Sequence, residues 1–145
     1  MKTRMLLALL LSLLISVTAW AKTPKIGVAL ANFDLNFVSI LRTQMVGEIK
    51  ALNMEGQFVD AKGDVALQVQ QVEDFINQGV DAIILNPVDT QGVLPMVKAA
   101  EAAGIPLVFV NRKTEVKLPV NMANVGSESA LGGEMQMEAV AKQVN

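Results

Sequence analysis

Apolar positions along this chain gather in short runs separated by longer stretches of mixed polarity. The runs are Ile26-Gly27-Val28-Ala29-Leu30-Ala31, Gln57-Phe58-Val59, Asp81-Ala82-Ile83-Ile84-Leu85 and Ile105-Pro106-Leu107-Val108-Phe109-Val110, with Val120 to Val125 as a fifth. Short runs without strict alternation are the pattern of strands buried on both faces. The stretches between them carry helical spacing. Phe37, Leu41, Met45 and Ile49 fall at four-residue steps with Ile40 and Leu52 adjoining, which predicts a helix from about Phe37 to Leu52. Val65, Val69, Val72 and Ile76 mark a second helix, with Asp64 as its N-cap and Gly79 just past its end. A third starts at Thr90, turns Val93, Met96, Val97 and Ala100 inward and stops at Gly104. The last runs from about Ser127 to the end of the chain. The order β-α-β-α-β-α-β-β-α predicts an α/β fold of three layers, α/β/α, with a parallel sheet and right-handed crossovers.

The first 21 residues fit a different pattern. Lys2 and Arg4 precede an apolar stretch from Met5 to Val17, and Ala19-Trp20-Ala21 is a small-x-small cleavage site. This predicts a secretory signal peptide over 1–21, with Lys22 as the mature N-terminus and export to the periplasm. The apolar stretch is short for a bilayer span. Residues 22–145 then form one domain, large enough to bury about two-thirds of its unfolded surface.

Composition narrows the chemistry. Of the twelve basic residues, Lys2 and Arg4 leave with the leader, so ten face fourteen acidic ones. No basic patch stands out, which argues against nucleic acid as a partner. The chain has no cysteine and no histidine. It therefore has no disulfide, no His-assisted nucleophile and no imidazole for a metal, and no cofactor is expected. Nucleotide loops are absent as well: Gly27 is the only glycine of the first run, and no Gly-Lys-Ser/Thr follows a strand.

Ligands of open α/β sheets bind at the carboxyl ends of the strands. Polar groups cluster after four of the runs: Asn32-Phe33-Asp34-Leu35-Asn36-Phe37, Asn86-Pro87-Val88-Asp89, Asn111-Arg112 and Gly126-Ser127-Glu128. Singly, each has a plainer reading, since Asn and Asp are turn residues and caps. Phe37 has two, as the first core residue of its helix or as an aromatic face for a ligand. Together, the amides, a carboxylate, a guanidinium and aromatic rings supply what a sugar needs. Planar polar groups bind neighbouring hydroxyls, and a ring covers the C–H face.

These residues resemble a family. From Lys25 to about Val144 the chain is similar to the periplasmic sugar-binding proteins of bacterial ABC importers, of the ribose, galactose and inositol/rhizopine type. The similarity rests on Lys25-Ile26-Gly27-Val28, Phe33-Asp34-Leu35-Asn36-Phe37, Gly79-Val80-Asp81-Ala82-Ile83-Ile84-Leu85-Asn86-Pro87, Gly104-Ile105-Pro106 with Asn111-Arg112, and Gly126-Ser127-Glu128 with Leu131-Gly132-Gly133. The resemblance implies the periplasmic binding protein-like I fold, with 22–145 as a single N-terminal lobe and the second lobe absent. It implies a monosaccharide or cyclic polyol as ligand, such as inositol, galactose or ribose, and the membrane permease of an ABC importer as partner. It places Phe33, Asp34, Phe37, Asn86, Asn111, Arg112 and Ser127 at the ligand. Phe37 would stack on the sugar, Asn111 and Arg112 would bond its hydroxyls, and Asn86 and Ser127 would lie near the cleft. Leu35 departs from the family, which has a polar contact there.

The chain alone is expected to bind sugar weakly or undetectably, because one lobe cannot desolvate a sugar on both sides. Two alternatives remain at this point: a carbohydrate-processing enzyme using Asp34 with Asp89 or Glu128, and a sugar-responsive regulator core of the same fold. The regulator would need a basic helix-turn-helix where the leader stands.

Overall fold

The computed structural model describes residues 22–126 and 129–144. The leader 1–21, with its predicted cleavage site, lies outside the described residues, as do Ser127 and Glu128. The elements follow the expected order. They are β1 (Lys25–Leu30), α1 (Asn36–Ala51), β2 (Glu55–Asp60), α2 (Val65–Asn77), β3 (Ala82–Leu85), α3 (Leu94–Ala102), β4 (Leu107–Val110), β5 (Met122–Val125) and α4 (Ser129–Val144). The five strands form one sheet in the order β2-β1-β3-β4-β5, and every neighbouring pair is parallel. No helix among the described residues is long and apolar enough to cross a membrane.

The strand period of two sorts the core onto two faces. Ile26, Val28 and Leu30 of β1 point to one face, where Val38 and Ile49 of α1 cover them. Ala29 of β1, Ile83 and Leu85 of β3, and Leu107 and Phe109 of β4 point to the other. There Val72 and Phe75 of α2 and Met96, Val97 and Ala100 of α3 close over them. Each fully buried side chain of this size contributes about 1.5–3 kcal/mol. Gly27 lies on the α2 side, where the ring of Phe75 takes its place. A Cβ at Gly27 would sit 2.5 Å from that ring, so only glycine lets α2 approach this closely.

Three expectations need correction. Thr90 does not open α3, which begins four residues later at Leu94 with Pro95 in its first turn. Residues 90–93 form a turn instead, and the Asp89 carboxylate accepts the Gln91 N–H at 3.0 Å. The inward stripe of α1 holds only in its second half, where Met45 and Ile49 pack on the sheet. Four-residue steps advance about 400° each, so Phe37 lies some 120° round the helix from Ile49. Val38, not Phe37, faces the sheet, and Ile40 and Leu52 are exposed. In α2 the buried residues are Gln68, Val72 and Phe75, while Val65, Val69 and Ile76 are only half-buried beside them. The Asp64 cap forms as expected, accepting the N–H groups of Ala66 and Leu67 at 2.8 and 3.1 Å.

Candidate functional site

Parallel pairing brings the strand ends together. Ala29 is level with Leu85, Leu85 with Phe109, and Val110 with Val125. The segments after β1, β3, β4 and β5 therefore leave the sheet at one edge. β1 is bonded to β2 on one side and β3 on the other, with helices on opposite faces. This is the switch point at which open α/β sheets hold ligands.

The loop after β4 turns sharply. Asn111 has φ +66, and the Arg112 N–H bonds the Val110 carbonyl across it at 2.7 Å, closing a three-residue γ-turn. Asn tolerates this left-handed backbone better than most residues. The Asn111 N–H donates to Val125 O at 3.0 Å, tying the turn to β5 and leaving the side chain exposed. Arg112 folds back over the loop after β3. Its Nη1 donates to Pro87 O at 3.1 Å and to Val88 O at 2.8 Å. Both Nη1 hydrogens are thereby used, and among the described residues Nε and Nη2 have no hydrogen-bond partner.

Beneath this surface Asn86, expected near the cleft, is fully buried. Its Nδ2 donates to Val110 O at 3.1 Å and its N–H to Ala29 O at 3.0 Å, so Asn86 joins β3 to both neighbours. Its Oδ1 is buried without a partner among the described residues. Gln68 of α2, also fully buried, grips the same segment: Nε2 donates to Asn86 O at 3.0 Å, and Oε1 accepts the Val88 N–H at 2.9 Å. Thr114 completes the ties. Its Oγ1 donates to Thr90 O at 2.9 Å, and its N–H donates to Asn124 Oδ1 at 3.1 Å.

The loop after β1 is held differently. The Phe33 N–H donates to Asp60 Oδ1 at 3.2 Å, and the Asp34 N–H to Asn32 Oδ1 at 2.8 Å. The Phe33 ring is half-buried against the α1 core, and the Arg42 guanidinium sits 4.1 Å from its centroid. One face of that ring is thus occupied. Phe37 is 58% exposed at the start of α1, with its ring uncovered. Asp34 and Leu35 are exposed beside it.

The structure thus gathers Asn111 and Arg112 with the loop over Asn86, and places Phe33, Asp34 and Phe37 on the loop after the adjoining strand β1. Ser127 lies outside the described residues. Sequence reasoning missed Gln68, Thr114 and Asn124. For Gln68 a signal existed: it stands four residues before Val72 and seven before Phe75, a polar residue on a buried stripe. Among the described residues no cluster of three acidic side chains could hold a metal. The shifted carboxyl is Asp81, at the other end of the sheet. The Lys25 N–H and then the Lys22 ammonium hold it below the usual carboxylate range.

Comparison with known proteins bears on what this edge does. The family model of the periplasmic binding protein domain matches residues 26–145. A Rhizobium meliloti protein named for rhizopine binding is 42% identical over 134 residues, covering 90% of this chain and 43% of the relative. The ribose import binding protein RbsB of Bacillus subtilis is 33% identical over 119 residues, covering 82% and 38%. Among solved structures, an ABC transporter solute-binding protein from Bacillus halodurans C-125 with bound myo-inositol superposes with a TM-score of 0.76. It is 40% identical and covers 85% of this chain and 42% of that one. The chain thus spans less than half the length of these relatives. They are binding proteins, and neither the enzyme nor the regulator alternative finds support among them.

Proposed function

Because this chain belongs to the periplasmic binding protein domain family, we propose that its strand-end rim holds a monosaccharide or cyclic polyol as part of a receptor for ABC import. The observation that carries this reading is the Arg112 guanidinium. Two backbone carbonyls anchor its Nη1, and the remaining donors, unpaired among the described residues, suit paired hydroxyls. The relatives are named for rhizopine, ribose and xylitol, and the inositol complex is 40% identical to this chain. The exposed Phe37 ring supplies a C–H-facing surface on the adjoining loop. Asn111 offers an amide at the tip of its turn. Asn86 acts from below, fixing the loop that Arg112 rests on. Working in the periplasm, after loss of a leader over 1–21, and delivering ligand to a membrane permease belong to the same proposal.

A rim of this kind covers one side of a sugar. Affinity in the millimolar range or weaker, about −4 kcal/mol at best, is expected of the chain alone. Saturation-transfer NMR detects such binding. Transfer to myo-inositol or D-ribose, none to L-leucine, and loss with Arg112→Ala are the expected results. Equal transfer to L-leucine, or a polyol signal indifferent to Arg112→Ala, contradicts the reading. Submicromolar affinity in calorimetry would contradict the one-sided site.

A further inference from the structure

We infer that Gln68, on the helix behind the rim, is a positioning residue that orients Arg112 through a shared peptide unit; its consequence for ligand rests on the polyol reading above. The Pro87–Val88 peptide is held from both sides. Gln68 Oε1 accepts its N–H at 2.9 Å, and Arg112 Nη1 donates to its carbonyl at 3.1 Å. Hydrogen bonding at the N–H end polarises the amide and makes its carbonyl a stronger acceptor, so the two bonds reinforce each other. A second route runs beside the first. Gln68 Nε2 holds Asn86 O, and the Asn86 side chain holds Val110 O, which also accepts the Arg112 N–H. The backbone and the guanidinium of Arg112 are therefore both referred to one buried amide.

Packing alone does not explain that amide. Gln68 is wholly buried, on the same stripe of α2 as Val72 and Phe75. A methionine would fill much the same volume with no polar group to satisfy. The amide instead reads both the carbonyl and the N–H of one loop, as a strand partner would. Gln71, one turn on, makes the contrasting contact: its Nε2 donates to Asp60 O at 2.8 Å, on the β2 side and away from Arg112.

The test is side-chain NMR of arginine in the full chain, which reads rotation of the guanidinium directly. In the wild type the Arg112 Nη protons are expected to be distinct and slowly exchanging. Gln68→Met should speed their averaging about threefold or more, whereas Gln71→Met should leave them unchanged. Unchanged Arg112 signals in a folded Gln68→Met protein overturn the inference, as does an equal effect from Gln71→Met. Should Gln68→Met not fold, the coupling is read in reverse, because it is reciprocal. Arg112→Ala alters only an exposed side chain, and the Val88 N–H and Gln68 amide protons should then exchange faster with water. Unchanged exchange there also overturns it. If Arg112 loosens in Gln68→Met while myo-inositol leaves the wild-type signals unmoved, the brace stands and the polyol reading falls.

Discussion

The two sides of the rim are built on different principles. After β3 and β4, side chains from below and beside tie the backbone: Gln68, Asn86, Arg112 and Thr114 all bond loop carbonyls or N–H groups. After β1, the loop has local turns and is tied through its backbone alone, the Phe33 N–H to Asp60 and the Ala31 carbonyl to the Gly63 N–H, and its Phe37 ring stands in the open. Directional donors gain from being fixed in advance, because ordering them on binding would reduce affinity. A ring that offers a flat apolar face needs less orientation. The difference separates residues that shape the site from residues that only touch a ligand, and mutation should separate them in the same way.

The largest effect is expected on the tied side. Asn86→Ala removes a buried bond to Val110 O and its packing, and should lower stability by about 2 kcal/mol in urea unfolding. An unchanged midpoint would mean that the tie is not structural. Next comes the γ-turn. Asn111→Val should destabilise by about 1–2 kcal/mol, because a β-branched residue resists positive φ, while Asn111→Gly should be neutral or better. Equal effects of Val and Gly would deny the turn its role.

A smaller, pH-dependent effect belongs to Asp81, far from the rim. Its carboxyl is held low first by the Lys25 N–H and then by Lys22. Its contribution is present above the ordinary carboxylate value and disappears as pH falls through the lowered one. Asp81→Asn should therefore lower the thermal midpoint at neutral pH and converge on wild type in acid. A gap that persists in acid would contradict this. The smallest stability change is expected at Phe37. Phe37→Ala should stay within about 0.5 kcal/mol of wild type, since the ring is uncovered, yet weaken myo-inositol transfer. A large loss of stability would place Phe37 in the core after all.

The same contrast explains what the sequence could reveal. The β/α alternation, the Asp64 cap and, among the described residues, polar groups after β1, β3 and β4 at one sheet edge are local patterns present in the structure. Asn86-Pro87 has the local look of an exposed turn. Its burial depends on β4 at its side and α2 above it, neither of which is near in sequence. Gln68 is hard to see in the sequence because the valines of α2 suggest an apolar stripe, whereas the buried stripe includes this one polar residue. For Phe37 the phase of α1 removes the core reading: Val38 and Ile49 share a face from which Phe37 is turned away.

The central claim, that the strand-end rim is the ligand surface, is tested most directly by mapping backbone amide shifts as myo-inositol is added to this chain. The account predicts progressive shifts at Val88, Asn111, Arg112 and Phe37, with the amides of Lys25 and Asp81 at the opposite end of the sheet unmoved. Shifts centred on the Lys25–Asp81 end, or spread evenly over the surface, would contradict it.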